Sequence, residues 1–334
     1  MKRQTILNLA TCAGLSAAGW GDITPSRAAE GGLTFWLPGT FGSLSATPGT
    51  PGWSWATLYI HSDAAAAAGA PFPRGGRTDI GISGRGDLVA FGPTYVFATP
   101  VLGAQLSVSM LAIAGHSEAS AALSLTGPLG NTIGLARTQD LTSYGDLLPQ
   151  ITLKWNQGVH NYMVYGTGDI PIGDYDPNRL ANLGIGHGAI DFGGGYTYFN
   201  PQTGNEFSAV AGMTYNFKNT STQYQNGIDF HLDWGASHFV TKQVQLGLAG
   251  YYFQQITDDF GAPASLGGFR SRVAGSGPQV GFLFPVGDMQ GYLNIKGYKE
   301  FAAENRPEGF NTWVTFAISP KAPEHTPSKP LYRK

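Results

Sequence analysis

The sequence predicts an all-β chain: a transmembrane antiparallel up-and-down β-barrel of outer-membrane type, with about twelve strands. Three observations predict it. Period-two alternation recurs along most of the chain, in runs suited to a tilted membrane crossing. The connections between these runs alternate long and short. Nearly all the charges inside the runs fall on one face. No run nears the ~18 apolar residues of a spanning helix, so a closed barrel is the remaining way through a bilayer.

Composition narrows the function classes. The 334 residues carry 20 Lys and Arg against 22 Asp and Glu, only 13% charged, where soluble domains carry roughly 25%. With a net charge of −2 and no basic block, nucleic acid is not an expected partner. The 48 glycines follow no three-residue period, which argues against collagen. One cysteine, Cys12, excludes a disulfide framework and a thiolate metal cluster. HExxH, Walker and GxSxG motifs are absent, so the chain reads as a non-enzyme with no cofactor and no metal.

Residues 1–28 read as a signal peptide, with Lys2 and Arg3 ahead of a short apolar core and Ser26-Arg27-Ala28 as the cleavage site. Residues 29–52, rich in Gly, Pro and Thr, read as a periplasmic lead-in or a lumen plug; sequence does not choose. The barrel is expected over 53–318. Its twelve strands are read at 53–60, 88–99, 102–114, 147–156, 159–170, 188–199, 206–217, 225–235, 241–255, 270–284, 290–301 and 310–318. Residues 319–334 read as a polar tail.

The segment 206–217 shows the logic. Phe207, Ala209, Ala211, Met213, Tyr215 and Phe217 share one face, while Glu206, Ser208, Gly212, Thr214 and Asn216 share the other. The longest connections, 61–87, 115–146 and 171–187, are expected as external loops that gate the outer mouth. The even strand count puts both termini on the short-turn side. Gly275-Ser276-Gly277-Pro278 interrupts one strand and reads as a bulge or kink, a candidate opening in the wall.

The apolar faces, such as Ile151, Leu153 and Trp155 or Leu246 and Leu248, are expected to meet lipid. A charge at the midplane costs roughly 2–4 kcal/mol, so the opposite face points inward. That face carries Lys154, Tyr165, Asp169, Asp191, Glu206, Asp229, His231, Asp233, Tyr251, Lys296 and Glu300 as the candidate lumen and substrate pathway. Asp229, His231 and Asp233 alternate on one strand and read as a solvated ladder rather than a metal or pH site. Asp258-Asp259 read as solvated rather than cation-binding, and Arg270 and Arg272 face either lipopolysaccharide phosphates or acidic loops.

Over about 145–318 the chain resembles the outer-membrane proteins grouped as the "meta-pathway of phenol degradation" family. The resemblance rests on Gly145-Asp146 with Pro149, Pro171-x-Gly173 with Tyr175-Asp176, and Asn182-x-Gly184. It continues through Tyr224 with Gly227, Gly250-Tyr251 with Gln255 and Thr257-Asp258, Gly277-Pro278, and Asn305-Arg306 with Gly309 and Trp313. A terminal aromatic is replaced here by Phe316-Ala317-Ile318 and a tail. The resemblance implies an outer-membrane barrel linked to uptake of aromatic or other hydrophobic compounds. The expected function is therefore passive uptake of small hydrophobic or aromatic solutes. The alternatives are a structural or surface-recognition barrel with a closed lumen and, more remotely, an outer-membrane hydrolase. Expected partners are outer-membrane lipid and lipopolysaccharide, the barrel assembly machinery, and small hydrophobic solutes.

Overall fold

In the computed structural model, residues 34–71, 76–261 and 270–321 are described. The signal peptide, the start of the 29–52 segment and most of the 319–334 tail lie outside the described residues. Twelve strands form a closed antiparallel barrel in chain order, with the first hydrogen-bonded to the last. They are β1 Gly52–Pro71, β2 Arg77–Val96, β3 Gln105–Thr126, β4 Thr132–Gln157, β5 His160–Asp169 and β6 Ala189–Asn200. The second half comprises β7 Asn205–Asn216, β8 Asp229–Phe239, β9 Val244–Gln255, β10 Arg272–Val286, β11 Met289–Glu304 and β12 Glu308–Pro320. Closure runs from Trp55 against Ile318 to Ala65 against Glu308. Every strand edge is thereby paired, as hydrocarbon surroundings require.

The inside-outside assignment follows the parity read from sequence. Phe207, Met213, Tyr215 and Phe217 face outward and are exposed, as are Ile151, Leu246, Leu248 and Phe316. The intervening Glu206, Ser208, Thr214 and Asn216 are buried inside. These outward rows form an apolar belt, and the chain is an outer-membrane barrel.

Four expectations need correction, the last of them, at Asp259, with the external connections. The segments 61–87 and 115–146 are not loops. β1 and β2 stay paired to Pro71 against Arg77, and β3 and β4 to Thr126 against Thr132. These four strands are 20 to 26 residues long, against 10 to 16 elsewhere. They rise past the belt as a four-stranded wall. The same holds on a smaller scale for 302–309, where β11 and β12 leave only 305–307 as a turn. At these three hairpins paired strand replaces the expected loop, while 170–188 and 217–228 remain long connections as expected.

The second correction concerns Gly275–Pro278. β10 pairs continuously with β9 through Gly275 against Tyr251 and Pro278 against Leu248. On the β11 side, Ser276 against Lys299 and Gln279 against Lys296 keep one register. Pro278 leaves out a hydrogen bond but makes no opening there. A true bulge sits elsewhere, between Ala112 and Ala114 of β3, where Gly145 and Asp146 of β4 face the single residue Ile113. The third correction, to the solvated ladder of β8, belongs with the lumen.

Candidate functional site

The lumen holds chain. Residues 34–51 run through it as a strap, and its polar backbone is satisfied by the barrel's inward side chains. The N–H groups of Gly39 and Phe41 donate to the two oxygens of Asp233, at 2.9 and 3.0 Å. Leu44 N donates to Glu206 Oε1 and Ser208 Oγ, both at 3.0 Å, and Ala46 N to Thr197 Oγ1 at 3.0 Å. In the other sense, Lys296 Nζ donates to Gly39 O at 2.6 Å and Lys154 Nζ to Thr47 O at 3.3 Å. Gln105 clamps Gly49 through both its amide atoms, at 2.7 and 2.8 Å. A strap without regular structure must find partners for its backbone somewhere, and here the lumen charges supply them.

Aromatic packing holds the upper strap. Trp36 stacks on His231 at 3.6 Å between ring centroids and 12° between planes. Phe41 packs against Tyr165 at 5.2 Å. Under these rings lies a closed polar cluster. Tyr165 Oη donates to Asp191 Oδ1 at 2.8 Å, His231 Nε2 lies 2.9 Å from Asp191 Oδ2, and Thr214 donates to that same oxygen at 2.5 Å. Asp191, His231 and Thr214 have no solvent exposure at all. The Asp229–His231–Asp233 ladder is therefore buried under the strap, not solvated. Burial of these charges is possible because each finds a donor or acceptor at contact distance.

The other sequence-predicted residues are also on the inward face. Tyr251 donates to Glu300 Oε1 at 2.9 Å and accepts from Asn311 at 2.8 Å, and Asp229 accepts from Asn216 at 2.9 Å. Asp169, Glu206 and Lys296 are buried, while Lys154 is half-buried. The lumen's two lysines bond to strap carbonyls rather than to the lumen carboxylates. Sequence reasoning missed Trp36 and Phe41, since two aromatics in a Gly- and Pro-rich lead-in carry no periodicity.

Glycines make the room for this cluster. A Cβ on Gly212 would lie 2.1 Å from Tyr165 Oη and 2.7 Å from His231 Nε2, and one on Gly193 2.5 Å from Tyr165 Oη. Gly212→Ala is therefore expected to push Tyr165 and His231 off Asp191. The expected loss is about 1–3 kcal/mol, the usual range for overpacking. It is read as a lower temperature for loss of the compact, heat-modifiable barrel band on electrophoresis. An unchanged temperature would contradict it.

Above the strap opens a vestibule of about 1030 Å³. Its floor includes Leu37 and Pro38 of the strap with Tyr251 and Trp313 of the barrel. One side is the four-stranded wall; the other is formed by the 170–188 connection and the 305–307 turn. The 170–188 connection folds inward, burying Ala181, Leu183, Ile185 and His187. The β4 bulge turns the Asp146 carboxylate toward it, where Gly173 N donates to Oδ1 at 2.7 Å and Ile185 N to Oδ2 at 2.8 Å. Arg179 pairs with Asp174 within the loop and holds that carboxyl below its ordinary range.

The next connection, 217–228, is tied in the same manner. Asp259 accepts from Tyr224 Oη, from Gly227 N at 3.0 Å and from Gln255 Nε2 at 2.7 Å. It is buried, which pushes its carboxyl pKa up against the pull of those donors. This corrects the solvated reading of Asp259. Arg270 bonds Asp258 at 2.7 Å and Arg272 bonds Glu304 at 2.9 Å, so the acidic-partner reading describes both.

The family described as "Putative MetA-pathway of phenol degradation" matches residues 68–316. No curated protein matches the chain. Among solved structures, the COG4313 outer membrane channel from Pseudomonas putida F1 is similar, with a TM-score of 0.61 at 14% identity. That match covers 82% of this chain and 98% of the other. At such identity the likeness is one of fold. NanC porin (9% identity, 81% and 100% covered, TM-score 0.35) is more remote. So is OccAB1 of Acinetobacter baumannii (8% identity, 84% and 99% covered, TM-score 0.33).

Proposed function

We propose, because the chain belongs to the family of the MetA-pathway of phenol degradation, that it passes small hydrophobic or aromatic solutes passively across the outer membrane. The observation that carries this is the vestibule. It is a preformed cavity of about 1030 Å³ with a largely apolar lining, at the size of small-molecule sites. Its floor is shared between the strap, a separate segment of chain, and the mutually bonded barrel side chains Tyr251, Glu300, Asn311 and Trp313.

In this reading Lys154, Tyr165, Asp169, Asp191, Glu206, Asp229, His231, Asp233, Tyr251, Lys296 and Glu300 line the route that opens when the strap moves. Outer-membrane lipid meets the apolar belt, lipopolysaccharide meets the polar rows at its outer edge, and the barrel assembly machinery inserts the chain. The test is phenol entry into vesicles carrying lipopolysaccharide and the purified protein. Entry faster than into protein-free vesicles is expected, and equal rates would overturn the reading.

A second reading, a structural or surface-recognition barrel, is favoured by the same strap, which fills the lumen with satisfied hydrogen bonds. The two readings separate on whether removing the strap opens a pore.

A further inference from the structure

The four-stranded wall reverses the polarity of the barrel below it. One register row crosses all four strands: His61 against Asp87, Asp87 against His116, His116 against Thr142. These side chains face outward and bond one another, His61 Nδ1 to Asp87 at 2.7 Å and His116 Nδ1 to Thr142 Oγ1 at 2.8 Å. Just below the row, the outward face carries Tyr59, Val89 and Tyr144. Tyr and Trp at this level are the mark of a membrane–water boundary, so the row lies at the outer edge of the lipid belt.

Above the row the outward face becomes polar, with Arg85 against Glu118, Asp79 against Ser124 and Ser120 against Thr138. The inward face becomes apolar. Ile80 stands against Leu123, Leu123 against Leu135, and Leu125 against Ile133. Within the membrane the parity is the opposite, polar inside and apolar outside. The wall continues about ten residues past the row, ~33 Å at ~3.3 Å per residue. Much of its inner face has nothing packed on it, with Ile133 77% and Leu135 78% exposed. A contiguous apolar surface kept open to water calls for an occupant.

The shape of the space selects that occupant. The wall is one side of the vestibule, and the 170–188 connection faces it at short range. Gln139 of β4 accepts from Leu180 N at 2.7 Å, and Arg137 reaches Asn178 O at 3.4 Å. The connection approaches the wall at Arg137 and Gln139, and the cavity the two border, about 1030 Å³, is of small-molecule size. Of the four guanidiniums at the vestibule, Arg137 bonds Asn178, Arg179 pairs with Asp174, Arg85 lies 3.8 Å from Asp87 and Arg306 sits over the Phe253 ring, so the largely apolar lining favours an uncharged occupant.

We propose that the inner face of this wall is a capture surface for uncharged, poorly water-soluble molecules. It collects them from the aqueous side and delivers them down the wall, past Ala64, Ala119 and the Ser62–Gly86–Ser117 level, to Ile60, Leu88 and the strap at Leu37 and Pro38. The inference rests on the uptake reading and names where its substrate class first binds.

The test is a titration of N-phenylnaphthylamine, an uncharged aromatic amine that brightens in apolar surroundings, against the protein in lipid nanodiscs. Signal from protein-free nanodiscs is subtracted. The intact protein shows a saturable component. Ile80→Asn with Leu123→Asn and Leu135→Asn weakens it about tenfold or more, while the outward-face pair Ser120→Asn with Thr138→Asn leaves it unchanged. Leu135→Asn alone, at an already exposed position, serves if the triple variant loses its heat-modifiable band, and it weakens binding in the same direction. No saturable component, or inner-face variants binding like the intact protein, overturns the proposal. Saturable binding without solute flux overturns the uptake reading and leaves the capture surface standing. Flux with binding indifferent to the inner face does the reverse.

Discussion

Deleting residues 34–48 is expected to raise single-channel conductance severalfold in planar bilayers and to let an uncharged pentose enter vesicles that exclude it with the intact protein. The reason is geometric and energetic together. A twelve-stranded barrel encloses more room than its own side chains fill, as eight strands already suffice for a side-chain-filled interior. The strap takes up that room. It is held by backbone N–H groups of Gly39, Phe41 and Leu44 on the carboxylates of Asp233 and Glu206, and by lysine donors on its carbonyls. Hydrogen bonds to charged groups contribute roughly 1.5–3 kcal/mol each, so spontaneous release is rare and deletion changes the conducting population greatly. Retaining Gly49 keeps the Gln105 clamp and the entry into β1. Conductance equal to that of the intact protein would mean that the lumen is shut by something else. That result would favour the structural barrel.

The barrel itself was legible because lipid imposes a rule on every strand that crosses it. Phe207, Met213 and Tyr215 must face out and Glu206 and Thr214 in, and period two records that choice. The rule lapses above the His61–Asp87–His116–Thr142 row. There Ile80, Ile82, Leu123 and Leu135 face inward among Ala, Ser and Gly, and a reader following outward apolar residues finds only loop.

Position inside the lumen was equally legible for Asp233 or Lys296, but their partners were not. A carboxylate that accepts from the backbone of a distant, irregular segment leaves no pattern in either stretch. The motifs behind the family resemblance turn out to mark the external ties. Gly145-Asp146, Gly173 and Gly184 meet at the β4 bulge, and Tyr224, Gly227 and Gln255 meet at Asp259. They report how the mouth is held rather than what passes through it.

Asp146→Ala is expected to free both ends of the 170–188 connection. The carboxylate satisfies two N–H groups, Gly173 and Ile185, that lie apart in sequence and together at the bulge. Ile185 is buried, and the close approach of Gly173 to Gly184 leaves no space for another residue's acceptor. A buried donor left without its acceptor costs roughly 1–3 kcal/mol. Losing both should speed amide exchange around 172–173 and 185–186 by roughly one to three orders of magnitude, at about 1.4 kcal/mol per factor of ten. The middle of the loop should respond less, because Gln139 still accepts from Leu180 and Asp176 N still bonds Asn182. Asp146→Asn, which keeps one acceptor oxygen, is expected to fall between. The 217–228 connection, tied separately to Asp259, is the internal standard and should exchange as before. With the loop ends loosened, the outer mouth should flicker, seen as added open-channel noise on the strap-deleted background. Exchange at 172–173 and 185–186 no faster than in the intact protein would show that the bulge does not hold the mouth.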